Sequence, residues 1–139
     1  MQLVTPRFGT LEIDEASIIT FPSGLPGFEH CKRFKLLHQE SPDPVVMWLQ
    51  SVDDTAVVLN VLDASMLGLP YKLDLDDAES ALINWQEGCE ILLLLTLSRD
   101  TGESGIRANM QSPIVLNASA KLAFQKTGVQ PELVFNPRN

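Results

Sequence analysis

The residues with most chemistry to offer are His30 and His38, eight positions apart, with Cys31 beside the first. A metal site needs about three or four converging ligands, and these three with one carboxylate have the donor types for it. Their spacing matches no established zinc pattern, so no metal is assigned to them. Asp74, Asp76, Asp77 and Glu79 have the composition of a calcium loop. Counted from Asp74, however, Glu79 stands where the turn glycine is required, and Trp85 stands where the bidentate glutamate should be. No G-x-S-x-G, phosphate-binding loop, G-x-G-x-x-G or H-E-x-x-H occurs. Carboxylates in pairs abound in so acidic a chain, and general acid–base work needs a perturbed pair in a cleft. A small carboxylate- or metal-dependent enzyme on a β-barrel is the alternative reading. The sequence assigns no catalytic, cofactor-binding or metal residue, and a non-enzymatic role is expected.

The elements that must position these side chains are short strands. Period-two alternation and β-branched or aromatic enrichment predict strands at Gln2–Thr5, Thr10–Ile13, Ser17–Phe21, Arg33–His38, Val45–Val52, Thr55–Leu62 and Tyr71–Leu75. Further strands are expected at Ile91–Leu97, Ile106–Met110, Ile114–Asn117 and Lys121–Lys126. Asp53-Asp54 reads as the turn of a hairpin. One α-helix is expected over about residues 76–87. It has Asp76 as N-cap and Glu79 completing a capping box, and Gly88 stands where helices commonly end. Ala78, Ala81, Leu82 and Trp85 would form its apolar stripe. The pattern predicts an all-β fold, an antiparallel barrel-like or sandwich domain with one short helix. A single domain over residues 1–139 is expected, with a loose tail at 130–139.

The segment between the third and fourth strands is unusual. Phe21-Pro22-Ser23-Gly24-Leu25-Pro26-Gly27-Phe28-Glu29 combines two prolines and two glycines with three large apolar side chains. Pro22-Ser23-Gly24 and Pro26-Gly27 suit two successive tight turns, the second of type II. A segment so bent and stiff either plugs its own barrel or presents Phe21, Leu25 and Phe28 to a partner.

Charge narrows the partners. Residues 1–104 carry 6 Lys/Arg against 17 Asp/Glu, and residues 105–139 carry 4 against 1, for a net of −8. An acidic body repels phosphate backbones and attracts basic proteins, so direct nucleic-acid binding is not expected. With no long apolar run and no basic, apolar leader, neither a membrane span nor export is expected. Cys31 and Cys89 are read as reduced thiols.

Three blocks together carry a family resemblance. The loop Phe21–Glu29, the block Trp48-Leu49-Gln50-Ser51 and the block Asn109–Asn117 occur in the order and spacing of the flagellar assembly factor FliW family. Phe8-Gly9 ahead of an acidic strand also fits. The chain departs from the family pattern at Thr55, where a proline is usual, and over residues 118–124. The resemblance implies a small cytoplasmic β-barrel protein that acts by partner exchange. It would bind flagellin as a chaperone. Once freed, it would bind and antagonise the translational regulator CsrA non-competitively, which controls flagellin translation. Protein-binding residues are expected among Phe21, Leu25, Phe28, Glu29, Asp74, Asp76, Asp77 and Glu79.

Overall fold

The computed structural model describes residues 1–38, 46–64, 75–99, 106–109 and 112–127. Gln2–Thr5 (β1) and Gly9–Glu12 (β2) form an antiparallel ribbon. Its turn is pinned by the Thr5 hydroxyl, which donates to the Gly9 carbonyl and accepts from the Phe8 amide. A 3-10 turn at Glu15–Ser17 precedes Ile19–Thr20 (β3). The remaining strands are Arg33–His38 (β4), Val46–Ser51 (β5), Val58–Asp63 (β6), Ile91–Arg99 (β7), Ile106–Ala108 (β8), Ile114–Asn117 (β9) and Leu122–Gln125 (β10). The third strand is shorter than the expected Ser17–Phe21, because Asp14 caps the 3-10 turn and draws Ser17 into it.

The strands close on themselves. The order β6-β5-β4-β3-β10-β9-β7 returns to β6 through the β6–β7 pairing, with β8 attached outside on β7. This makes a barrel of seven strands. The expectation of antiparallel pairing throughout fails at one seam, where β3 and β10 run parallel. The cause is parity: around a ring with an odd number of strands, directions cannot alternate everywhere, so one neighbouring pair must agree.

Inside the ring, Phe21, Phe34, Leu49, Val61, Leu94, Ile114, Leu116 and Ala123 pack as one core. Phe21 meets Phe34 edge-on at 5.1 Å between ring centroids. β9 is buried at every position because both its faces are covered. Ile114 and Leu116 point into the barrel, while Val115 packs outward against the helix side. The apolar run of β7 has the same explanation, with Leu92 and Leu94 in the barrel core and Ile91 and Leu93 against the helix-side cluster.

The helix, Asp77–Leu82 (α1), starts as expected and stops early. Asp76 accepts from the Glu79 amide at 2.7 Å, and Glu79 accepts from the Asp76 amide at 3.1 Å, so the capping box is complete. At the other end the Trp85 amide donates to Ser80 and the Asn84 amide to Ala81, with Asn84 at φ +51°. That is a Schellman termination with asparagine in the left-handed position. Gly88 therefore belongs to a later turn. The expected stripe is corrected with it: Ala78, Ala81 and Trp85 are exposed, and Ile83, just past the last helical residue, is the buried anchor. Among the described residues no helix is long and apolar enough to cross a membrane. The expected strand at Tyr71–Leu75 lies outside the described residues except for Leu75, as does the tail at 130–139.

Candidate functional site

The loop after β3 is built as its prolines and glycines demand. The Gly24 amide donates to the Phe21 carbonyl at 2.9 Å and the Phe28 amide to Leu25 at 2.8 Å, closing two tight turns. Gly27, at φ +84°, stands where a type II turn needs a positive φ. Gly24 is fixed by space as well as by its φ of +70°. A Cβ there would lie 2.9 Å from the Cα and carbonyl oxygen of Glu29. The far end is held by the Cys31 amide on Phe28 and the Phe21 amide on Lys32.

This loop plugs the barrel. Phe21 and Leu25 are only 1% and 3% exposed and belong to the core. Phe28 is half-buried against the same cluster. The loop's accessible surface comes instead from Pro22, Ser23, Pro26, Gly27 and Glu29. Of the expected partner-binding residues, Phe21 and Leu25 thus offer no free apolar face, and Phe28 offers an edge.

Two hollows border the loop. One, of about 430 Å³, is lined half by apolar residues (Leu25, Pro26, Phe28, Leu59, Leu97) and half by polar ones (Thr96, Asn109, Ser112, Gln125, Thr127). The other, of about 580 Å³, lies between Gly24, Glu29, Glu79, Leu82 and Lys126. Glu79 accepts two bonds of 2.8 Å from the Lys126 ammonium in addition to its capping role. Asp76 is committed to the cap, Asp77 and Glu29 are exposed, and Asp74 lies outside the described residues. The acidic group around the helix start is therefore partly architecture and partly free charge.

Described residues of the other two blocks hold the structure too. Trp48 packs edge-on against Phe8 at 5.6 Å, and the Arg7 guanidinium sits over both rings. Buried Gln50 donates to the Ser51 and Thr55 carbonyls, and the Ser51 hydroxyl accepts from the Asp54 amide. Buried Asn117 donates to the Ile83 carbonyl at 2.9 Å and accepts from the Ser119 and Ala120 amides. One side chain thus satisfies a helix-end carbonyl and shapes the β9–β10 turn.

Sequence reasoning read Asp53 only as a turn residue, yet it is the clasp between turn and loop. Its carboxylate accepts from the Lys32 and Arg33 amides at 2.8 and 2.9 Å, and from the Arg33 guanidinium at 3.0 and 2.9 Å. Partial burial pushes its pKa up, but those amides and the guanidinium outweigh burial and hold it below the usual carboxylate value. The signal was an acidic turn some twenty positions after a Lys-Arg pair, which sequence alone does not place in contact.

The FliW protein family model matches residues 2–135. A flagellar assembly factor FliW of Azoarcus sp. (strain BH72) is 38% identical over 131 residues, covering 91% of this chain and 90% of that protein. Its counterpart in Chromobacterium violaceum is 34% identical, with 98% and 99% covered. A crystal structure of the flagellar assembly factor FliW superposes with a TM-score of 0.79 at 26% identity, covering all of both chains. The plugged barrel, the three blocks in their places and a match along nearly the whole length agree, and the chain belongs to the FliW family.

Proposed function

We infer that this protein is a cytoplasmic flagellar assembly factor that acts by occupying two protein partners in turn and makes no bonds itself. It shields flagellin before export. Once flagellin leaves, it captures CsrA and relieves repression of flagellin translation. The observation that carries the reading is the hollow of about 430 Å³ beside the family's signature loop, where half-buried Phe28, Leu59 and Leu97 are ringed by polar Thr96, Asn109, Ser112, Gln125 and Thr127. It suits the apolar face of an amphipathic helix, and flagellin's terminal segments are of that kind. The acidic balance of −8 supports the second partner, a basic RNA-binding protein. Displacement of RNA then follows from charge brought beside the RNA site rather than from covering it, the non-competitive mode.

Co-purification with flagellin and with CsrA, separately and together, tests this. Each partner alone should be retained, and flagellin in excess should release CsrA. Thr127 is exposed and lines this hollow as well as the neighbouring one. Thr127→Arg should therefore lower flagellin capture by about tenfold or more while leaving the circular dichroism spectrum unchanged. A protein that ignores both partners, or one whose flagellin capture survives a blocked hollow, overturns the reading.

A further inference from the structure

The fold brings together donors that the sequence separates. The ligand atoms of His30, Cys31 and Asp54 lie within 4.8 Å of one another, at the junction of the signature loop and the β5–β6 turn. His38, the partner that sequence spacing offered, is instead the last residue of β4 and lies outside this group. We propose that His30, Cys31 and Asp54 form a three-ligand site for a borderline-soft divalent cation of the Zn²⁺ class, with water as the fourth ligand.

The outer pair has the spacing such an ion needs, and the thiol sulfur lies within 4.8 Å of both. Bonds of about 2.0–2.3 Å in a tetrahedron put ligand atoms about 3.3–3.7 Å apart. His30 Nε2 and Asp54 Oδ2 are already 3.2 Å apart. Cys31 is fully buried, while the imidazole and carboxylate keep 62% and 42% of their side-chain surface open. An ion therefore enters from solvent, meets the outer pair first and then takes the thiolate. The thiol proton is released to solvent as the sulfur–metal bond forms.

The supporting shell is in place. Asp54 uses Oδ1 to accept from the Ala56 amide, which leaves Oδ2 aimed at His30. The Asp54 amide is held by the Ser51 hydroxyl and the Cys31 amide by the Phe28 carbonyl. Next door, Asp53 clamps the turn to the amides of Lys32 and Arg33, so the two carriers of the site are already fastened together. Ligands oriented by such contacts lose little freedom on binding. The donor set excludes hard cations: calcium and magnesium take oxygen, whereas thiolate and imidazole suit zinc and its neighbours. A bound ion would link residues 30–31 to residue 54, bracing the loop that borders both hollows. This does not depend on the identity of either protein partner.

The test uses the full chain, freed of metal, titrated with Co²⁺ and separately with Zn²⁺ under reducing conditions. The expected result is one ion per chain, a thiolate-to-cobalt charge-transfer band in the near ultraviolet, and loss of that band when Zn²⁺ is added. Cys31→Ser should abolish the band. Because Cys31 is a core residue, the exposed His30→Ala is the second variant, expected to weaken binding by about tenfold or more with the fold intact. His38→Ala and Cys89→Ser should bind as the parent does. Absence of the band in the parent, or Zn²⁺ affinity unchanged in His30→Ala, overturns the proposal. Equal binding of Mg²⁺ overturns it as well.

Discussion

At the scale of single residues, most of the side chains that mark this family hold the barrel together. Phe21 and Leu25 fill the core, Asn117 ties the helix end to a turn, and Gln50 with Ser51 shapes the β5–β6 connection. Asp53, outside the family's blocks, holds the fold through its charge. Its native pKa is lowered, so the stability it adds is fully present above its unfolded value of about 3.9 and is lost as the pH falls through the lower native value. Asp53→Asn should therefore unfold at lower urea than the parent at pH 7, and the two midpoints should converge below about pH 4. A gap that stayed constant down to about pH 2 would show that the clasp does not act through its charge. None of this was legible in the sequence. A carboxylate that reaches across some twenty positions to two backbone amides leaves no local pattern.

Elements were more legible, and the misses share a cause. Strands announced themselves by alternation, and the capping box Asp76–Glu79 was readable because all its partners lie within four residues. The helix end was misplaced because its termination uses Asn84 in the left-handed position, with Asn117 taking the Ile83 carbonyl. Glycine is the stronger signal, so Gly88 drew the boundary too far. The loop Phe21–Glu29 gave its two turns correctly, yet its apolar side chains pointed equally to a plug or a bait, and only packing decides between them. The helix carries a prediction of its own. Asp76→Ala removes one cap and should cost about 1 kcal/mol. Glu79→Ala also removes the pair with Lys126, whose partners are only about one-fifth exposed, and should cost roughly 1 kcal/mol more. Urea unfolding of both variants compares them directly, and equal losses would mean that the Glu79–Lys126 pair adds nothing.

For the whole molecule, the seven-strand ring and the charge make different demands on partners. The odd strand count requires a parallel pair, which here is β3–β10, and the signature loop leaves directly from β3. The charge is spread over the body, with Asp77 and Glu29 among its free members. If CsrA is held by that field and flagellin by the apolar side chains of the hollow, the two associations should answer oppositely to salt. Between about 50 and about 500 mM the Debye length falls from about 14 to about 4 Å. CsrA affinity should drop by at least severalfold over that range, mainly through a slower association rate. Flagellin affinity should hold or rise slightly, since burial of apolar surface is not screened. Calorimetry of each pair across the salt series measures both. If CsrA binding stayed flat while flagellin binding fell, the assignment of charge to one partner and apolar burial to the other would have to be exchanged.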